Sequence, residues 1–301
     1  MASLMNKRFL LKMLSLFSVV RGYNILMIVI AQYLASAFIL APNLPLREVF
    51  FDDNLFFLIL STASVIASGY IINNFYDSEK DLINRPKKTM LDRIVGQRTK
   101  LSVYFILNMF AVFFASYVSF KTVVFFSLYI FSIWFYSHRL KRILFVGNLV
   151  ASVIAIIPFF AVFVYYGNTE TVIFIHAAFL FLMIAMRELV KDLENIRGDL
   201  ALNYHTIPVV YGEKWSKLFL GILFLISIIP TLLLTQKFNV GYMHYYFYAS
   251  FFLLTLFMLI LYFSKTKWQY LILHNILKFI IVAGVFSILL IDPDTLLNRV
   301  F

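Results

Sequence analysis

The sequence predicts an all-α polytopic membrane protein, and three observations carry that reading. Of its 301 residues, 62% are hydrophobic and only 14% charged, whereas a soluble domain carries about a quarter charged residues. Mean hydropathy is +0.88, too high for a globule that must still expose a large surface to water. The apolar residues fall in runs of about 20, the length that crosses a hydrocarbon core of roughly 30 Å as a helix. A soluble enzyme, a disordered chain and a fibrous chain are thereby excluded. Cysteine is absent, which also excludes thiolate metal sites, iron–sulfur ligation and a cysteine nucleophile.

In chain order the apolar segments are 15–41, 55–74, 101–119, 122–137, 143–166, 171–189, 216–236, 243–264 and 270–291. Charge, Pro, Asn or Gly separates them, as helix ends require. Lys7, Arg8 and Lys12 precede the first run without a small-residue cleavage site, so it reads as a retained span. With nine spans, 21 of the 26 Lys and Arg fall on the N-terminal side. Four (Arg47, Lys121, Lys237 and Arg299) fall on the other, and Lys278 lies inside the last run. Such a bias marks the cytoplasmic side. The net charge of +11 is therefore a topology signal, and no nucleic-acid partner is expected. The N-terminus is expected in the cytoplasm and the C-terminus outside, in the cell (inner) membrane. Two long cytoplasmic loops, 77–100 and 190–215, carry most of the chain's polar chemistry. No linker divides the chain, so residues 1–301 read as one domain, and the two loops hint at an internal duplication.

The first loop opens with Asn73, Asp77 and Asp81, at i, i+4 and i+8; on a helix they span about 80° and point one way. Asp192 and Asp199, seven apart in the second loop, share a face, with Asn195 about 40° from Asp199. Carboxylates this close repel each other at a membrane boundary and need a counter-charge. Their oxygens suit Mg²⁺, which takes one or two carboxylates and completes its shell with phosphate and water. Two such clusters facing one cavity would hold a diphosphate through the metal and make it a good leaving group. The alternative for either patch alone is a solvated loop cap paired with Lys80, Arg85, Lys191 or Arg197.

These motifs resemble those of the UbiA superfamily of intramembrane prenyltransferases. The first follows the pattern N-D-x-x-D-x-x-x-D, then Ile83-Asn84-Arg85-Pro86; the second reads Lys191-Asp192, Glu194, Gly198-Asp199, then Thr206-Ile207-Pro208-Val209 and Gly212. Arg21 and Asn24 match an R-x-x-N in the first span, and Tyr136-Ser137 with Leu140-Lys141-Arg142 matches a Tyr/Lys motif. The resemblance implies nine helices around a central cavity capped by the two loops. It makes Asp77, Asp81, Asp192, Asp199 and Lys141 the catalytic set, with Asn73 and Asn195 joining the four aspartates as Mg²⁺ ligands. Arg21, Asn24, Tyr76, Arg85, Tyr136, Arg139, Lys191 and Arg197 become substrate-binding residues. Arginine is the better bidentate partner for diphosphate oxygens, and Tyr76 and Tyr136 could face an allylic cation.

Two departures stand out. Asn74 replaces an Asp of the first motif and Asn195 the leading Asp of the second, each removing a negative charge. Both are expected to act as weakened metal ligands, with Asp192 substituting for one lost carboxylate. The implied reaction is Mg²⁺-dependent transfer of a prenyl group from an allylic prenyl diphosphate to a membrane-soluble acceptor. The motif flavour is most similar to the branch that prenylates geranylgeranylglyceryl phosphate in ether-lipid synthesis, with aromatic prenylation of quinone precursors as the second reading. A transporter of an anionic amphiphile is a third, disfavoured because its polar groups would lie at the midplane between equal repeats. His138, His176, His205, His244 and His274 form no two-His pattern with a nearby acid and are left out of the site.

Overall fold

A break divides the first apolar run. The structure, a computed structural model, describes residues 2–293, with side chains from residue 10 onward. Arg21 adopts φ 51°, ending α1 (Ala2–Val20) before α2 (Gly22–Ala35) begins. A left-handed non-glycine residue cannot continue a right-handed helix. The first span is therefore Gly22–Leu40, including a short π-helical end at Ser36–Leu40, and not 15–41. Lys7, Arg8 and the C-terminal Arg299 and Phe301 lie outside the described side chains.

A short α3 (Leu46–Phe50) leads to α4 (Asp53–Asn84), α5 (Pro86–Asp92), α6 (Gln97–Val118) and α7 (Phe120–His138). After a 3₁₀ turn at Leu140–Arg142 come α8 (Val146–Tyr166), α9 (Thr171–Ala201), α10 (Ile207–Leu232), α11 (His244–Phe263) and α12 (Lys267–Ser287). Among the described residues nine helical segments are long and apolar enough to cross a membrane, one for each expected span. The short fourth run is a full 19-residue helix.

The two expected loops are largely helical. α4 has 32 residues and α9 has 31, about 48 and 46 Å at 1.5 Å per residue, well beyond a hydrocarbon core. Hydropathy falls at Asn73 and at Lys191, but no residue there stops a helix. The stop comes at Pro86, which disfavours helical geometry in the residue before it, and at Leu202–Asn203, where Asn203 takes φ 55°. Both acidic motifs thus ride on the ends of long membrane helices.

The chain forms two compact units. The first contains the described residues of Met1–Val29 and Phe56–Leu140. Its buried spine is α4, with Leu58, Ile59, Val65, Ile71 and Ile72. Phe57 stacks on Phe114 of α6, Ser68 donates to Asn108 at 2.6 Å, and a side chain at Gly69 would press on Ile133 of α7. The second unit contains Ile30–Leu55 and the described residues of Lys141–Phe301. Its centre is α9, packed by α8, α10 and α12 and burying Met183, Met186, Leu189, Val190 and Leu193. Gln32 donates to the Pro158 carbonyl within this unit at 2.8 Å. In each unit the central helix carries the acidic motif.

Candidate active site

The first motif is built on the last three turns of α4. Asp77 is 6% exposed, with the Lys80 ammonium 3.8 Å away. One turn on, half-buried Asp81 lies within electrostatic reach of Asp77, Lys80, Arg85 and Arg21. Asn73 shares their stripe and is half-buried. Arg21 and Asn24 converge on Tyr70. The guanidinium lies 5.1 Å from the ring centroid, and Asn24 Nδ2 donates to the hydroxyl at 3.1 Å. Tyr70 lies seven residues before Asp77, on the same stripe. Arg85 begins α5, whose Lys88 stands 3.7 Å from Asp92. Burial, with Arg21 and Arg85 nearby, lowers the Lys88 pKa below the ordinary lysine value, against the opposing pull of Asp92 and Asp81. Tyr76 faces His138 at 5.4 Å between ring centroids. Tyr136 is half-buried on α7, while Arg139 is exposed.

Asn74 does not sit as the sequence comparison with the motif implied. Its Nδ2 donates to Asp92 at 3.2 Å and its Oδ1 accepts from Lys100 at 2.8 Å. Its amide is thus engaged by an anion and a cation, which is the physical reason to correct the expectation of a weakened metal ligand.

The second motif lies on the last turns of α9. Asp192 accepts from Asn148 Nδ2 of α8 at 2.7 Å. Asn195 is 7% exposed and donates to the Lys191 carbonyl one turn back at 2.7 Å, which fixes the plane of its amide. Asp199 is 1% exposed. Buried Glu188 binds Lys191 at 2.6 Å and Arg187 at 2.9 Å, so the Lys191 ammonium is held by a neighbouring carboxylate. Arg197 is exposed. Glu194 stands 3.6 Å from His274 of α12, one of the histidines left out of the site.

Lys141 is buried in the turn before α8. That turn is tied to the chain just past the second motif. His205 N–H donates to the Arg142 carbonyl at 3.1 Å, and the Arg142 guanidinium lies 5.1 Å from the centroid of the Tyr204 ring. Gly147 is required here, because a Cβ would meet the Lys141 carbonyl oxygen at 2.9 Å.

Chemically both clusters offer hard oxygen donors, two carboxylates with an amide in each. Among the described residues no group of three or more His, Asp or Glu side chains forms a metal cage. That donor set fits Mg²⁺, which keeps several positions for phosphate and water.

A family model described as the UbiA prenyltransferase family matches residues 26–277. The chain belongs to that family. It is an integral membrane protein of that family. Among its relatives, the digeranylgeranylglyceryl phosphate synthase of Methanosphaera stadtmanae is 30% identical over 182 residues, covering 58% of this chain and 65% of that one. The synthase of the same name from Methanobrevibacter smithii is 26% identical over 238 residues, covering 75% and 80%. The chain thus spans just under two thirds of the first relative and four fifths of the second. A solved digeranylgeranylglyceryl phosphate synthase shares the fold with TM-score 0.69 and 19% identity over 92% of this chain and 97% of that one. A UbiA homolog from Archaeoglobus fulgidus, solved bound to GPP and Mg²⁺, does so with TM-score 0.67 and 14% identity over 91% and 99%.

Tyr70, Asp92, Lys100 and Asn148 have no place in the motifs. Tyr70 alone had a signal, its seven-residue offset from Asp77. The others are joined to the motifs by tertiary contacts that no spacing encodes.

Proposed function

We propose that this prenyltransferase joins an allylic prenyl group to the free hydroxyl of a prenylglyceryl phosphate, a step of ether-lipid synthesis, and releases diphosphate. The carrying observation is the crowd of cations at the first motif, where Arg21, Arg85 and Lys88 all act on Asp81 or on one another. Two phosphate-bearing substrates need such a supply, whereas an aromatic acceptor does not. The names of the curated relatives support the same acceptor class.

Asn73, Asp77 and Asp81 in the first unit, and Asp192, Asn195 and Asp199 in the second, are the residues that would hold Mg²⁺. When bound, the metal withdraws charge from the diphosphate and makes it a better leaving group. Arg85, Arg139, Lys141, Lys191 and Arg197 bind phosphate oxygens, and Arg21 and Asn24 act with them from the start of α2. As the C–O bond breaks, Tyr76 and Tyr136 offer π-faces to the allylic cation. The apolar helices exclude water that would quench it. The acceptor hydroxyl then forms the new C–O bond and gives up its proton. The bias of Lys and Arg supports an orientation with the N-terminus and both motifs on the cytoplasmic side and the C-terminus outside, in the cell membrane. Residues 1–301 act as one catalytic domain.

The test is product analysis by mass spectrometry with purified protein, Mg²⁺, a prenyl diphosphate and a panel of acceptors. Ether formation on a prenylglyceryl phosphate is expected. Faster transfer to a hydroxybenzoate or homogentisate overturns the acceptor, and absence of diphosphate release with every acceptor overturns the whole reading.

A further inference from the structure

Four segments of the first unit meet at the end of α5, in a chain of buried polar groups that the proposed reaction does not use. Asp92 is 3% exposed, accepts from Ser18 of α1 at 2.8 Å and from Asn74 of α4 at 3.2 Å, and has Lys88 at 3.7 Å. Asn74 in turn accepts from Lys100 of α6, which is 1% exposed. Beside them Ser15 of α1 donates to the Leu91 carbonyl at 2.8 Å.

α5 has seven residues and no side-chain cap at its start. A helix that short does not hold its shape alone, so its placement depends on what grips its far end. At its near end stand Arg85 and Lys88, both acting on the charge of Asp81. We infer that Asp92, held by Ser18 and by Asn74, which Lys100 in turn holds, is a positioning anchor that sets α5 so that Arg85 meets the donor diphosphate at the first motif.

The chemistry of position 74 follows from this. An asparagine can donate to a carboxylate and accept from an ammonium at once, which an aspartate cannot. Asp92 and Lys100 are both buried and are bridged by the neutral Asn74 amide, with the more exposed Lys88 ammonium 3.7 Å from Asp92. An aspartate at 74 would set two carboxylate oxygens about 3.2 Å apart and replace a hydrogen bond with like-charge repulsion. The carboxylate that the motif lacks at 74 is supplied at 92. Exchanging the two residues keeps the charge count and an amide–carboxylate hydrogen bond, so the exchanged protein is expected to recover most of what either single change loses.

This inference rests on the proposed function only in naming diphosphate as the ligand, and its test needs no turnover. Wild type, Asn74→Asp, Asp92→Asn and the double variant are purified, and two quantities are read. The first is the melting temperature in Mg²⁺-free buffer. The second is the affinity for inorganic pyrophosphate with Mg²⁺, from the ligand-induced shift in melting. Each single variant is expected to melt several degrees lower and to bind pyrophosphate roughly tenfold more weakly, as loss of one charge-assisted hydrogen bond implies. The double variant should recover both. Single variants that melt like wild type, or a double no better than the worse single, overturn the anchor. Melting recovered by exchange with pyrophosphate affinity unchanged in all four proteins reduces the network to a structural role and overturns positioning. A wild type that binds pyrophosphate but transfers no prenyl group defeats the proposed function and leaves the anchor standing.

Discussion

Asn148→Ala removes one hydrogen bond and no metal ligand, which makes it a sharp test of how the second motif works. Asn148 Nδ2 lies 2.7 Å from Asp192 Oδ2, a charge-assisted contact between helices whose packing places Asp192. Hydrogen bonds to charged groups contribute about 1.5–3 kcal/mol. Loss of an outer partner of a metal-binding group costs about 10–100-fold in metal affinity. If Asp192 binds Mg²⁺, the alanine variant should need about 10–100-fold more Mg²⁺ for half-maximal diphosphate release, and saturating Mg²⁺ should restore most of the rate. Ser152 accepts no side-chain help from Asn148, since it donates to the Asn148 backbone carbonyl, so α8 should keep its structure. The assay is a Mg²⁺ titration of diphosphate release at fixed donor concentration, with melting temperature as the control. An unchanged Mg²⁺ requirement would remove Asp192 from the metal site. A loss that Mg²⁺ cannot restore would mean the bond holds the fold and not the ligand.

Asp77→Asn and Asp199→Asn should each abolish turnover with little change in melting temperature, and EDTA should abolish wild-type activity. Turnover that survives either substitution or the chelator excludes the metal mechanism. Lys88→Met should raise KM for a prenylglyceryl phosphate more than for the donor, as expected for lost acceptor binding. Its ammonium is disfavoured in the folded protein, so the native pKa lies below the unfolded one. That penalty is fully present below the native pKa and fades as pH rises to the ordinary lysine range. Wild type should therefore gain stability relative to Lys88→Met as pH rises, read from melting curves across alkaline pH. Single cysteines at Met90 and His205, in a chain with none of its own, should label from the same side of the membrane. Labelling from opposite sides breaks the nine-span topology.

Hydropathy located all nine apolar segments because their outer faces are apolar as well as their packed ones; Phe120, Phe252 and Tyr262 are among the most exposed large hydrophobic side chains in the structure. It misplaced the motif helices for the same reason. It reports where the chain leaves hydrocarbon, whereas the helix ends where a residue stops it, at Pro86 and at Asn203. The periodicity of Asn73, Asp77 and Asp81 already contained the correct answer, since a shared face exists only if the helix continues. The break at Arg21 had no such signal. A lone arginine in an apolar run reads as a snorkelling side chain, and its left-handed backbone is visible only in three dimensions. Asn74 was read against the motif as a ligand short of one charge. Its partner lies 18 residues on, beyond a proline, and no local pattern links the two.

The same gap separates counting cations from assigning them. The tally of Lys and Arg orients the chain without distinguishing one residue from another, yet their surroundings differ sharply. Arg139 and Arg197 are exposed, Lys141 is 7% exposed and Lys100 is 1% exposed. An exposed cation satisfies the topology rule at little cost. A buried one must be compensated within the protein, because stripping an ammonium of water costs several kcal/mol before any partner is found. Lys100 has that compensation in Asn74 and, through it, Asp92. Burial therefore marks the cations that this protein's structure is built around. Lys100, which no motif marks, is one of them, with Lys141.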